Sequence, residues 1–308
     1  MVNTRLSDKM REKSLLSFEL FPPKTEKGLV NLSETILKLK EHNPAYMSVT
    51  YGAGGTNVGK NKEVLDMISD AGMLGLTHLT CIGNSKESIR EQLCQYNAQG
   101  IDHVLALRGD LPMGWSDSRG DFKYATDLVA FIRKEFGSEF EIAVAGSPEG
   151  HVQCRSLESD VAVLKQKQDN GADFIITQLC WDMEQFKRWQ DMLDKAGVTI
   201  PIVVGVMPVL DPAVTINSAL SHNACVMPRK LCELLSKYWI FPNPFTKERI
   251  DPNYDQKKAD FKKAGMEYTV RQLDEYRILG INGIHMYTLN KWKDITDIID
   301  MSGMNTVI

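Results

Sequence analysis

Polar and charged side chains stand within or just after seven of the apolar runs in this 308-residue sequence. A carboxyl group inside such a run, as Glu19 is, is costly to bury unless it is paired or functional. An ion pair with Lys24 and general-acid chemistry are therefore both open for Glu19. The other side chains of this kind include Thr50, Tyr51, His78, Arg108, Asp110, His151, Gln178, Tyr287 and Lys291.

The segment Arg108-Gly109-Asp110 suits the binding of phosphate, because a guanidinium pairs with phosphate oxygens and a glycine lets a ligand approach the backbone. A salt bridge within a turn is the simpler alternative. His78 and Gln178, taken singly, fit a hydrogen-bonded core histidine and a loop cap as well as a site. Residues 52–55 lack the spacing of the dinucleotide-binding motif, so we interpret them as a tight turn.

Eight short apolar runs alternate with longer amphipathic stretches along the chain. The runs predict strands at 15–21, 46–50, 77–82, 103–108, 141–146, 174–179, 200–207 and 283–288. The amphipathic stretches predict helices at 58–71, 85–99, 124–135, 157–169 and 182–195. Strands alternating with helices indicate a parallel sheet, and eight such units in about 300 residues favour a closed (β/α)8 TIM barrel over an open sheet.

The connection between the seventh and eighth strands, residues 209–280, is longer than one βα unit needs. It contains two helical patterns around Phe241-Pro242-Asn243-Pro244, which predicts a break there. We interpret it as an elaborated β7–β8 connection, so that residues 1–308 form a single catalytic domain. Barrel enzymes carry their chemistry at the carboxyl ends of the strands, where the polar side chains fall.

The composition gives no support for a nucleic-acid-binding, membrane-spanning or secreted protein. The net charge of −4 gives no basis for a nucleic-acid surface, and no stretch approaches the ~20 apolar residues of a membrane helix. The polar N-terminal segment lacks the apolar core of a signal peptide. The six cysteines form no C-x-x-C pair. This favours reduced thiols in a cytoplasmic protein and speaks against a zinc or iron–sulfur site.

Nine segments, in order along nearly the whole chain, resemble methylenetetrahydrofolate reductases of the bacterial single-domain type. They are SFELFPPK, SVTYGAGGT, THLTCIG, ALRGD, YATDLVAFIR, VAGSPEGH, KQKQDNGADFIITQL, GVMPV and MYTLNK. The resemblance implies an FAD-containing (β/α)8 barrel. Its implied reaction is the reduction of 5,10-methylenetetrahydrofolate to 5-methyltetrahydrofolate, with hydride from NAD(P)H passing through the flavin.

The resemblance also implies roles for individual residues. Glu19 is the general acid that protonates the substrate, and burial is expected to raise its pKa. Asp110 lies beside the flavin and the pterin, while Gln178, Tyr287 and Lys291 contact the folate. The implied flavin contacts are Thr50, Tyr51, Ala53, His78, Arg108, Gly109, Asp110, Tyr124, Ala125, His151, Asp160 and Lys167.

The sequence departs from the family pattern in two regions. Ser147, Val163 and Gln166 replace residues that family members often have on the flavin side, so FMN is the second choice of cofactor. Residues 217–222 lack an aromatic side chain usual near the donor, and Lys291 replaces an arginine. The electron donor is therefore either NAD(P)H or an electron-transfer subunit. A pterin-dependent methyl-transfer barrel is the alternative function. A homo-oligomer, and a pathway in methionine biosynthesis or anaerobic carbon fixation, stay open.

Overall fold

Eight parallel strands close into a barrel in the computed structural model, which describes residues 5–50, 58–111, 114–115, 117–221, 225–238 and 252–304. The strands are β1 (Leu15–Leu20), β2 (Tyr46–Val49), β3 (Gly75–Thr80), β4 (His103–Leu107), β5 (Glu141–Gly146), β6 (Phe174–Thr177), β7 (Ile202–Val206) and β8 (Gly283–Tyr287). Each strand pairs with the next, and β8 pairs with β1. The predicted TIM barrel is confirmed, with strand ends within two residues of the prediction.

Helices follow the strands, and polar side chains cap several of their first turns. Ser85 Oγ, for example, accepts a hydrogen bond from Ser88 N, which satisfies a donor that the helix leaves free. The five predicted helices correspond to α3–α7, with ends within one residue. The described helices are α1 (Leu6–Glu12), α2 (Glu26–Lys40), α3 (Val58–Asp70), α4 (Lys86–Ala98), α5 (Ala125–Phe136), α6 (Leu157–Asp169), α7 (Met183–Lys195), α8 (Pro212–Leu220), α9 (Arg229–Tyr238), α10 (Tyr254–Ile278) and α11 (Trp292–Ser302).

The β7–β8 connection contains α8, α9 and α10, one helix more than the sequence predicted. The extra helix, α8, begins after Asp211, whose Oδ1 accepts hydrogen bonds from Ala213 N and Val214 N. The predicted break at 241–244 lies outside the described residues. Among the helices in the described ranges, none is both long and apolar enough to cross a bilayer.

Successive side chains of each strand point alternately outward and inward, so the strands contribute to two apolar cores, one between the barrel and its helices and one inside the barrel. Phe18 and Leu20 of β1 belong to the large core between the barrel and its helices. Leu15 of the same strand packs inside the barrel with Tyr46, Leu76 and Phe174. Since successive side chains of a strand point to opposite faces, Ser17 and Glu19 also face the interior, above this apolar layer.

Helix α1, which the sequence analysis did not predict, covers the amino-terminal end of the barrel. Leu6 N and Ser7 N donate hydrogen bonds to the Glu141 carboxylate at 2.8 and 2.7 Å, and His103 Nε2 lies 3.1 Å from it. Burial raises the pKa of Glu141, but these hydrogen bonds outweigh it and hold the pKa at about 2. The polar groups at this end are thus satisfied by one another.

Candidate active site

A cavity of about 1180 Å³ opens at the carboxyl ends of the strands. Small-ligand pockets usually measure roughly 300–1,000 Å³, so this one has room for a dinucleotide or for two smaller ligands. Eleven of the residues singled out in the sequence line it. They are Glu19, Thr50, His78, Arg108, Gly109, Asp110, Ala125, His151, Lys167, Gln178 and Tyr287.

Three other predicted site residues that the structure describes, Tyr124, Asp160 and Lys291, do not line the cavity. Tyr124 is half exposed at the start of α5, and Asp160 is buried in α6, where it accepts a hydrogen bond from Cys154. Lys291 is exposed at the start of α11. Tyr51 and Ala53 lie outside the described residues. The barrel therefore gathers predicted residues that lie on or after strands β1, β2, β3, β4, β5, β6 and β8 around one cavity, together with Ala125 of α5 and Lys167 of α6.

Glu19 lies in the cavity wall with 8% of its surface exposed. Thr50 Oγ1 donates a hydrogen bond to Glu19 Oε1 at 3.1 Å, and the Nε2 atoms of His78 and His285 each lie 3.6 Å from Oε2. Burial raises the pKa of Glu19, but the close approach of His285, the charges of both imidazoles and the Thr50 hydrogen bond together hold it below its ordinary value. The expected rise is therefore wrong for this arrangement, because two histidines, one from the neighbouring strand β8 and one from β3, face the carboxylate.

His285 on β8 is a member of this cluster that the sequence analysis did not single out. Its side chain is fully buried, with Nδ1 2.8 Å from Ser17 Oγ and Nε2 3.1 Å from Ser48 Oγ. The contact with Ser17 exists because residues 17 and 285 are register partners in the β1–β8 pair. A signal was present in the sequence, since His285 alternates with Tyr287 in an apolar strand and both must face the interior.

His78 presents an unpaired ring nitrogen in the cavity wall. Burial lowers the pKa of His78, against the opposing effect of the Glu19 charge. Its buried Nε2 has no hydrogen-bond partner among the described residues, and the residue lines the cavity. A buried polar atom without a partner costs about 1–3 kcal/mol. A ligand atom that hydrogen-bonds to this nitrogen would remove that cost.

Lys167 places a cation in the same cavity. Its Nζ donates a hydrogen bond to Ala145 O at 2.8 Å. Burial lowers the pKa of Lys167 to about 8, although the charge of Asp160 acts in the opposite direction. Because no carboxylate among the described residues is in hydrogen-bond contact with it, this partly buried ammonium group is electrostatically suited to an anionic ligand.

The Arg108-Gly109-Asp110 segment forms another part of the wall. Arg108 Nη1 donates a hydrogen bond to Gln153 Oε1 at 2.5 Å. Gly109 adopts a φ of +87°, and a Cβ at this position would lie 2.8 Å from Ile82 Cγ2. Only glycine therefore fits this backbone without strain. The Gly109 carbonyl lies beside a guanidinium, since Arg108 Nε donates a hydrogen bond to Gly109 O at 3.0 Å. The pairing of Arg108 with Asp110 in a turn salt bridge, the alternative from the sequence, does not occur among the described contacts.

Tyr287 reaches across the barrel interior from β8 towards β6. Its Oη donates a hydrogen bond to Thr177 O at 2.8 Å, and burial raises the pKa of the phenol well above its ordinary value. Gly205 on β7 leaves the space for this ring, because a Cβ there would overlap both Thr177 O and the phenol oxygen. Gln178 follows Thr177, and its Oε1 accepts a hydrogen bond from Leu179 N at 2.9 Å.

Two further lining residues had no assigned role in the sequence analysis. Glu149 Oε2 accepts a hydrogen bond from Val226 N at 2.7 Å, which ties the loop after β5 to the segment before α9. Burial raises the pKa of Glu149. Trp115 lines the cavity near β3, and the Arg119 guanidinium lies 4.7 Å from the centre of its ring. Both residues stand in loops, where hydrophobic periodicity carries no signal.

A family model and several curated proteins match the chain. The model described as methylenetetrahydrofolate reductase matches residues 5–303. Methylenetetrahydrofolate reductase 1 of Schizosaccharomyces pombe is 33% identical over 97% of this chain and 48% of its own length. The 5,10-methylenetetrahydrofolate reductase of Pectobacterium carotovorum is 32% identical over 90% of this chain and 86% of its own length. The chain thus spans about half the length of the eukaryotic relatives it matches.

A solved structure shares the fold. It is described as an uncharacterized protein from Clostridium thermocellum that binds two copies of 5-methyl-5,6,7,8-tetrahydrofolic acid. Its TM-score is 0.62 with 13% sequence identity, and the match covers 99% of this chain. At that identity the likeness supports the architecture.

Proposed function

Because this chain belongs to the methylenetetrahydrofolate reductase family, we propose that it reduces 5,10-methylenetetrahydrofolate to 5-methyltetrahydrofolate. The observation that carries the proposal is that Glu19, Asp110 and Gln178 line the same cavity as Arg108, Lys167 and Gly109. The electrons come from NAD(P)H or from a partner subunit, and FAD is the cofactor. We also propose a cytoplasmic location, since all six cysteines are free thiols.

Three features of the cavity fit a flavin nucleotide. Lys167 and Arg108 supply two positive charges for the pyrophosphate, which a guanidinium can bind through two parallel hydrogen bonds. Gly109 lets the ligand approach the backbone. The unpaired Nε2 of His78 offers a hydrogen-bonding atom. A bound flavin supplies the hydride chemistry, and the protein supplies orientation and electrostatics.

The protein's own contribution to the chemistry is centred on Glu19. The substrate methylene bridges two nitrogens in a five-membered ring, and it accepts hydride poorly until that ring opens. A proton delivered by Glu19 to N10 lets the ring open to a cationic iminium at N5. The carboxylate of Asp110, on the same cavity wall, stabilises that positive charge. Gln178 and Tyr287 hold the pterin, and Lys291, exposed at the start of α11, is a further proposed folate contact.

The donor and the folate are proposed to use the site in turn. Because the donor and the folate would each have to reach the same reactive atom of a flavin bound in one cavity, we expect ping-pong kinetics. Residues 217–222 include the end of α8, and no described aromatic side chain stands there. This departure is the reason for keeping a partner subunit as the alternative to NAD(P)H.

The test is an anaerobic absorbance spectrum of the purified protein, recorded before and after addition of NADH and then of methylenetetrahydrofolate. Bleaching of a flavin spectrum by NADH and its return with the folate would establish both half-reactions. A flavin that NADH does not reduce, but that the folate reoxidises after chemical reduction, would identify a partner subunit as the electron donor. Absence of flavin after reconstitution with FAD or FMN would contradict the proposal and favour methyl transfer.

A further inference from the structure

The Arg108 guanidinium in the cavity wall is held by a side chain that the sequence analysis did not single out. We propose that Gln153 is a positioning residue, which orients this guanidinium for a phosphate group of a ligand in the cavity. Gln153 lies in the loop after β5 and lines the same cavity. The inference rests on the proposed function, because it presumes a cofactor that carries phosphate groups.

Two hydrogen bonds fix the orientation of the Arg108 guanidinium. Its Nε donates to Gly109 O at 3.0 Å, and its Nη1 donates to Gln153 Oε1 at 2.5 Å. A guanidinium carries five N–H donors in one rigid plane. The second N–H of Nη1 and both N–H groups of Nη2 have no acceptor among the described residues. Parallel N–H groups of this kind can bind two oxygens of one phosphate.

The Gln153 side chain orients Arg108 without neutralising its charge. A guanidinium can only donate hydrogen bonds, so the Gln153 atom that faces Nη1 must be the carbonyl oxygen of a neutral amide. No carboxylate among the described residues lies within ion-pair distance of Arg108. By contrast, Arg90 and Arg133, which do not line the cavity, contact carboxylates at 2.9 and 2.7 Å. The charge of Arg108 therefore stays available to an anion.

The backbone of Gln153 is held by hydrogen bonds as well. Cys154 N donates to His151 O at 2.8 Å, which closes a tight turn around Gln153. Gln153 N donates to His151 Nδ1 at 3.2 Å. Because a backbone N–H can only donate, Nδ1 is the acceptor, and the neutral imidazole carries its proton on Nε2. Gln153 thus connects Arg108 with His151, another of the predicted flavin contacts.

The benefit of this arrangement is a smaller loss of side-chain freedom on binding. A long side chain that a ligand immobilises gives up rotamer entropy, which weakens binding. The hydrogen bond from Gln153 restricts Arg108 before a ligand arrives, so part of that loss has already occurred in the folded protein. Without Gln153, the binding of a ligand with phosphate groups should be roughly 3- to 10-fold weaker.

The experiment titrates the flavin-free wild type and Gln153→Met with FAD and follows the flavin fluorescence. Methionine keeps the length of the side chain but removes both polar atoms, and we expect the 3- to 10-fold loss of affinity stated above. Gln256→Met is the matched control. Gln256 is also an exposed glutamine with a side-chain partner, Asp260 at 2.8 Å, but it lies on α10 and does not line the cavity. This control should bind FAD like wild type.

A double-mutant cycle separates a positioning role from a structural one. In an Arg108→Met background there is no guanidinium to orient, so the added Gln153→Met should change the FAD affinity by less than about 2-fold. An equal loss of affinity with and without Arg108, accompanied by a lower Tm of the flavin-free protein, would assign Gln153 a structural role. That result, or an unchanged affinity in Gln153→Met alone, would overturn the inference.

The two proposals fail in different ways. A wild type that binds FAD, but whose reduced flavin the folate does not reoxidise, contradicts the proposed function alone, and the titrations still test Gln153. A wild type that completes both half-reactions, while Gln153→Met binds FAD with unchanged affinity, contradicts the inference alone. A wild type that binds no FAD contradicts both.

Discussion

Replacement of Lys167 by methionine should make the flavin-free protein more stable at neutral pH while weakening its hold on the cofactor. The burial of the Lys167 ammonium lowers its pKa from 10.5 to about 8. A difference of roughly 2.5 in pKa, at about 1.4 kcal/mol for each unit, puts the cost of the buried charge at roughly 3 kcal/mol. This is an upper bound, because the residue is partly exposed and methionine also loses the hydrogen bond to Ala145 O.

The free-energy cost of burying the Lys167 ammonium decreases as the pH rises. Below about pH 8 both the folded and the unfolded chain carry the charge, so the full cost applies. Between about 8 and 10.5 the folded protein loses this proton first, and its stability rises with pH. Above 10.5 the contribution of Lys167 vanishes. The advantage of Lys167→Met should accordingly shrink as the pH is raised from 8 towards 10.

Urea unfolding of the flavin-free proteins at pH 7 and at about pH 10 measures the stability difference, and FAD titration measures affinity. A lost charge-assisted hydrogen bond of about 1.5–3 kcal/mol predicts cofactor binding that is roughly 10- to 100-fold weaker. Lys165→Met is the control, since Lys165 lies on the same helix with an exposed partner, Asp169. A Lys167→Met protein that is no more stable at pH 7, or that binds FAD unchanged, would refute the reasoning.

Three further substitutions test other parts of the molecule. Glu19→Gln should block reoxidation of the flavin by the folate but leave reduction by the donor intact; equal loss of both half-reactions in stopped flow would remove Glu19 from the acid role. Glu141→Gln should lower the free energy of unfolding at pH 7 by up to about 3 kcal/mol, since the Glu141 pKa is held at about 2 instead of 4.5. That difference should disappear as the pH falls from 4.5 to 2, and urea curves at pH 7 and pH 3 measure it. Gly205→Ala should cost about 1–3 kcal/mol by displacing the Tyr287 ring, seen as a lower Tm; an unchanged Tm would contradict the overlap.

Much of the architecture was readable from the chain because it depends on local pattern. Nearly continuous apolar runs of five to eight residues predict buried parallel strands, and amphipathic stretches between them predict the covering helices. Once eight strands are placed, their carboxyl ends must converge, so residues as distant as Glu19, His78 and Gln178 were expected on one rim. Helix α1 escaped prediction because its seven residues are too few to show an amphipathic period.

The protonation states of the site were decided by the tertiary structure. Glu19 looked like a carboxyl group whose pKa burial would raise, because its neighbours in sequence are apolar. Closure of the barrel instead places β8 beside β1 and brings His285 to within 3.6 Å of the carboxylate, with His78 arriving from β3 at the same distance. Electrostatic interactions depend on distance through space and on burial, and neither is contained in local sequence pattern.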